Sequence, residues 1–213
     1  MKKKQVQDFF ELFIKNYLVG DIRVLNKIKK NKDTGLGACV IPQAMAVLSG
    51  LDLLGFIFGN NKDINKTKEH ILEFYKITKC VYLDDRYDKT NIEKLVAYRN
   101  GMMHNFLPKY QAINVGICKS NSKKLFIRKT FNHTEIESLN VTVLTEDFLD
   151  AISLLEKMIE ESSEVSFFNN ILSAIKKIEF SNQLSITTTS ETTVNIITIN
   201  KKNTYSSNTN PAQ

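Results

Sequence analysis

Residues 34–51 carry no charged side chain, and across residues 34–61 the single charge is Asp52. Within that run Val40, Ile41, Met45, Val47, Leu48, Leu51, Leu53, Leu54, Phe56 and Ile57 recur so densely that they cover every side of a helix. A helix apolar all round belongs either in the centre of a protein core or in lipid. Asp52, Pro42 and Gln43 speak against a membrane span, as do the neighbouring segments, whose one-sided apolar stripes call for a shared core. The expectation is a core helix over residues 36–58, with a membrane-attached protein as the alternative. Asp52 then heads into the interior, where a carboxylate needs a cationic partner.

The remaining segments are predicted to pack around that helix. Val6, Phe9, Phe10, Phe13, Ile14, Tyr17 and Leu18 recur at steps of three and four, which predicts an amphipathic helix over residues 5–30 with a bend near Gly20. A third helix is expected over residues 63–79, followed by a polar loop at residues 84–88. Asn91 is the expected N-cap of a fourth helix, whose stripe Ile92, Leu95, Val96, Arg99, Met103 and Phe106 runs until Pro108 forbids continuation. Arg99 stands where that stripe calls for an apolar side chain. After Pro108 the period shortens, predicting strands over residues 112–118, 125–129 and 136–144 as a small antiparallel meander. Thr145, with Glu146 and Asp147 behind it, is expected to cap another helix, and a last one should span residues 164–180.

A chain of 213 residues that is 42% hydrophobic supplies one core of ordinary size. The expected organisation is a mainly α domain over residues 1–180, with a β insertion at about 110–144, and a polar tail over 181–213. That tail contains 19 Ser, Thr or Asn among 33 residues, too polar for a packed core, although the β-branched stretch 194–199 is suited to an edge strand.

Cys39, Cys80 and Cys118 form no C-x-x-C pair and are odd in number, which fits a reducing cytoplasm better than a disulfide framework. Met1-Lys2-Lys3-Lys4 resembles the start of an export signal, but Asp8, Glu11 and Lys15 interrupt the apolar stretch such a signal needs. The net charge of +6 is concentrated in residues 1–32, where nine Lys/Arg face Asp8, Glu11 and Asp21. A second basic run holds Lys119, Lys123, Lys124, Arg128 and Lys129. Such basic surfaces suit phosphate-rich partners or acidic proteins, and equally a solvated helix face. Gly35-Leu36-Gly37 lacks the Gly-Lys-Ser/Thr of a phosphate loop, no Ser sits in a G-x-S-x-G elbow, and no cluster has metal-ligand spacing. No cofactor and no metal is expected, and His70 and His133 read as surface residues.

One short segment carries chemistry: Arg99-Asn100-Gly101-Met102-Met103-His104, preceded by Leu95-Val96-Ala97-Tyr98. Here the chain resembles the HEPN superfamily of helical domains. Its motif is an arginine, usually followed by a polar residue, with a histidine after four to six intervening positions. The resemblance implies an antiparallel helical bundle. In the ribonuclease members it implies metal-independent RNA cleavage, in which a 2′-hydroxyl attacks the adjacent phosphate to leave a 2′,3′-cyclic phosphate and a 5′-hydroxyl. His104 would then move the proton, Arg99 would stabilise charge on the phosphate, and Asn100 would orient one or the other. Asp52, as partner of Arg99, and Tyr98 are the supporting candidates. Lys27, Lys29, Lys30, Lys123, Lys124 and Arg128 are the candidate RNA contacts.

Positions five apart on a continuous helix point roughly 140° apart, so Arg99 and His104 need a distortion at Gly101 or a second copy of the chain. The resemblance implies a homodimer in a stress, toxin or phage-defence role, with an antitoxin or regulatory protein as a further partner. Adenylylation of a tyrosine two residues after the histidine, known in one toxin branch, is not expected, because that position is Phe106. Two alternatives stand beside this assignment. Asn100-Gly101 also suits a hairpin turn, and a structural Arg99–Asp52 pair would serve a non-catalytic module that binds protein or nucleotide.

Overall fold

The computed structural model describes residues 1–29, 32–33, 38–60, 62–63, 65–78, 85–105, 115–131 and 133–178. They form a mainly helical unit with one small sheet. The compact unit spans Met1–Ala174, and of Ile175–Gln213 only the last residues of the final helix are described. The expected tail and its 194–199 stretch lie outside the described residues.

The chain is helical from Lys2 to Lys27, as α1 (Lys2–Phe9), a π-helical segment (Phe10–Val19) and α2 (Gly20–Lys27). The buried positions Val6, Phe10, Ile14 and Val19 are separated by four, four and five residues, a step too long for an α-helix to keep on one side. The looser winding holds Phe10, Ile14 and Val19 together, so the irregularity precedes Gly20 and does not arise at it. α2 ends three residues before the expected 30: Ile28 is extended, and Lys30 lies outside the described residues.

α3 (Val40–Phe58) packs against α2, α4, α5 and α6. Among the described residues it is the one helix long and apolar enough to cross a membrane; Ala44, Val47, Leu48, Leu51, Leu54, Phe56 and Ile57 are all buried on its neighbours. Gln43 is also fully buried, its amide donating to Asn26 Oδ1 (3.0 Å) and Thr145 Oγ1 (2.9 Å). Close approach is set at Gly55, where a Cβ would come within 1.9 Å of the His70 carbonyl oxygen, so α3 meets α4 (Thr67–Ile77) backbone to backbone.

A 3₁₀ turn, Asp85–Tyr87, leads into α5 (Lys89–Asn105). The Asp88 carboxylate accepts from the Asn91 N–H at 2.6 Å, so Asp88 caps this helix and the expected cap, Asn91, lies inside its first turn. α5 is α-helical without interruption through Gly101, which excludes the Asn100-Gly101 hairpin. Phe106 and Pro108 lie outside the described residues.

The sheet consists of β1 (Val115–Cys118), β2 (Phe126–Phe131) and β3 (Thr134–Asn140), in the order β1-β3-β2. β2 and β3 pair antiparallel, Phe126 opposite Leu139, but β1 runs parallel to β3, Val115 opposite Glu137, so the expected meander is replaced by a mixed sheet. The cause is Asn140. Its amide donates to the carbonyls of Ser120, Ser122 and Lys124 and its oxygen accepts from the Ser120 N–H, so the segment after β1 wraps around the end of β3 instead of making a tight hairpin. The same oxygen accepts from the Thr142 N–H and caps α6 (Val141–Glu161). Residues 141–144 are therefore helical where strand was expected, and Thr145, the expected cap, is buried one turn inside. α7 (Val165–Lys177) follows, three residues shorter at its end than expected.

Candidate functional site

Asp52 lies on α3, at the level where α4 and α5 both approach. One carboxylate oxygen, Oδ2, accepts from Arg99 Nη2 at 2.9 Å and from the Thr67 hydroxyl at 3.0 Å. The other, Oδ1, lies 2.8 Å from His70 Nδ1, which donates to it. Three helices thus converge on one half-buried carboxylate, 15% exposed, and the cation that Asp52 required is Arg99. Arg99 is itself 24% exposed and also bonds the next residue of its own helix, Nη1 donating to Asn100 Oδ1 at 3.1 Å. Its Nε–H is buried without a hydrogen-bond partner.

His70 was expected at the surface, but it is 1% exposed. It belongs to the apolar stripe Ile71, Phe74 and Tyr75 of α4 and stands edge-on to the Phe56 ring, centroids 5.4 Å apart. Asp52 satisfies its Nδ1, while its Nε2 is buried without a hydrogen-bond partner. His133 is exposed, as expected, in a left-handed conformation.

Arg99 opens onto a cleft of about 490 Å³ between the first turn of α4 and the outer face of α5, lined by Asn65, Lys66, Thr67, Lys68, Glu69, Val96 and Asn100. Lys68 bridges to Glu93 of α5 at 2.6 Å, and that exposed ion pair holds the Glu93 carboxyl below the usual carboxylate range. His104 is exposed one turn beyond Asn100 on the same helix and is not in the cleft lining. Between Arg99 and His104 around the helix stand Val96, half-buried, and Met103, 43% exposed, the latter 3.8 Å from the Ser49 hydroxyl of α3. Gly101 is buried and helical and introduces no distortion, so within one chain Arg99 and His104 diverge.

The other candidates lie elsewhere. Tyr98 points away from Arg99, fully buried, its hydroxyl donating to the Glu137 carbonyl at 2.9 Å and its ring against Phe126. Burial pushes its phenol far above the usual range. It joins α5 to the sheet and does not support the site. Lys27 and Lys29 are exposed at the end of α2, where Lys119 Nζ donates to the carbonyls of Leu25, Asn26 and Ile28. The two basic runs therefore meet there, though neither lines the Arg99 cleft. Arg128 pairs with Glu137 at 3.3 Å.

Lys123 and Lys124 line a separate cleft, with Arg86, Val143, Glu146, Asp147 and Asp150. At its floor Asp147, 3% exposed, accepts from Tyr87 and from Arg86 Nη1 at 3.2 Å. Burial raises the Asp147 carboxyl despite those two partners, and burial, with Tyr75 and Asp147 nearby, raises the Tyr87 phenol well above its usual range.

Sequence reasoning missed Thr67, His70, Lys66 and Lys68. The signal for His70 was available, because it interrupts an apolar stripe just as Arg99 does. Among the described residues no group of His, Cys, Asp and Glu could hold a metal ion. Comparison with protein-family models, curated proteins and solved structures gave no match.

Proposed function

We propose that this chain is a metal-independent endoribonuclease of HEPN type, acting in the cytoplasm as a homodimer in a stress, toxin or defence role. The observation that carries this reading is the Asp52–Arg99 pair. The motif arginine is tied to a carboxylate that also takes Thr67 and His70, and it stands at the mouth of an open cleft on the helix that presents His104 to solvent. A guanidinium fixed on one side keeps its remaining N–H groups oriented for phosphate oxygens, which is preorganised charge stabilisation. Imidazole is the side chain suited to moving a proton near neutral pH.

A second copy completes the site in this reading. The face of α5 between Arg99 and His104 carries Val96 and the exposed Met103. Burying that apolar strip against its equivalent places two arginines and two histidines along one seam. RNA is the substrate, and an antitoxin or regulatory protein would act by covering the seam. A non-catalytic binding module is the second reading, favoured by the fact that Arg99 and His104 diverge within the single chain.

The deciding experiment incubates wild type, Arg99→Ala and His104→Ala with mixed-sequence RNA in EDTA and reads the ends of the products. Cleavage leaving 2′,3′-cyclic phosphates, abolished in both variants, is expected. No cleavage by a folded dimer would overturn the nuclease assignment in favour of the binding module.

A further inference from the structure

The Arg99 cleft is richer in donors than a structural ion pair requires. Lys66 is exposed, and Lys68 gives one of three N–H groups to Glu93, leaving two. The Arg99 guanidinium has five N–H groups, of which Asp52 and Asn100 take two and the Nε–H is buried, leaving one on each Nη. Facing these stands one acid of the lining, Glu69, whose carboxylate can only accept. Several cationic donors beside one acceptor match a ribose phosphate: the phosphate takes the donors and the 2′-hydroxyl offers a proton to the acceptor.

The basic run that sequence favoured is less well placed. Lys119 closes the end of α2, Arg128 pairs with Glu135 and Glu137, and Lys123 and Lys124 share their cleft with Glu146, Asp147 and Asp150.

We infer that the cleft over the first turn of α4 holds the ribose phosphate flanking the cleaved bond, with Lys66 and Lys68 on the phosphate and Glu69 on the 2′-hydroxyl. The inference rests on the ribonuclease reading and adds the path of the strand: from the cleaved bond at Arg99 over the first turn of α4.

The test measures anisotropy of a labelled single-stranded RNA of mixed sequence across a salt series, on the full chain carrying His104→Ala so that the probe stays intact. Each phosphate no longer neutralised lowers the slope of log affinity against log salt by about 0.7 for a single strand, so Lys66→Gln with Lys68→Gln, which frees that one phosphate, should lower it by about 0.7. Lys123→Gln with Lys124→Gln should leave it unchanged, and Glu69→Gln should shrink the preference for RNA over the matching DNA. Thermal melting checks the fold, which the surface position of both lysines should leave intact. An unchanged slope in the Lys66/Lys68 variant overturns the path. An unchanged RNA-to-DNA ratio in Glu69→Gln overturns the 2′-hydroxyl contact. Either can happen while wild type still cuts RNA, whereas a chain that neither binds nor cuts RNA loses both the path and the nuclease reading.

Discussion

Among the described residues two arginine–aspartate pairs stand out, and they differ in what surrounds them. Asp147 is the more deeply buried, at the floor of the Lys123–Lys124 cleft: Tyr87 and Arg86 donate to it and tie the 3₁₀ turn before α5 to α6. Asp52 is open on one side: His70 and Thr67 hold it from α4, and its arginine reaches the wall of a cleft. Burial dominates the titration of Asp147, raising its carboxyl although a guanidinium and a phenol both stabilise the charged form. The same two residue types thus make a structural tie where the carboxylate is deeply buried and a presented cation where it is nearer to water.

The comparison is broken most directly by truncating each aspartate. Asp147→Ala removes the carboxylate that accepts from both Arg86 and the buried Tyr87 hydroxyl and should lower unfolding stability by about 3–5 kcal/mol in urea denaturation, without altering RNA cleavage. Asp52→Ala should cost about 2 kcal/mol, because the carboxylate itself is nearer to water, while abolishing cleavage through loss of the arginine's orientation. Equal stability losses, or cleavage surviving in Asp52→Ala, would show that the two pairs do the same work.

A smaller effect sharpens the same contrast. The folded carboxyl of Asp147 titrates above its usual value of 3.8, so folding favours its protonated form; the contribution to stability is full below that value and is lost as pH rises through the raised one. Asp147→Asn should therefore gain stability relative to wild type as pH climbs from about 3.8 toward neutrality. A constant difference across that range would mean that Arg86 and Tyr87 compensate the burial in full. Least affected should be an ion pair that belongs to neither cluster. Lys15 pairs with Glu11 (2.8 Å) and Glu156 (2.7 Å) on the surface, contacts that raise its pKa, and Lys15→Met should change stability by no more than about 0.5 kcal/mol in the same denaturation assay.

Legibility in the sequence followed how local each cause is. Apolar periodicity found the helices, and polarity within an apolar stripe found Asp52 and Arg99, because a buried charge advertises its need for a partner. The same rule would have found His70 had it been applied to α4. Asp147 escaped it by standing behind a threonine that resembles a helix cap, with Arg86 in a stretch polar enough to read as loop. The sheet order was not legible at all, since it depends on how one side chain, Asn140, draws together residues 16 to 20 positions earlier. The long step from Ile14 to Val19 was visible as spacing, but only the winding around Phe10–Val19 gives it meaning.

The unbroken course of α5 makes the ownership of an active site measurable. Because Arg99 and His104 point apart on one helix, a working centre in the proposed dimer draws its arginine from one protomer and its histidine from the other. Arg99→Ala and His104→Ala chains, each inert alone, should then complement when mixed and allowed to exchange subunits, since a mixed dimer restores one of its two centres and leaves the other doubly defective. A mixture that stays inert while subunits demonstrably exchange would place both residues of each centre in a single chain.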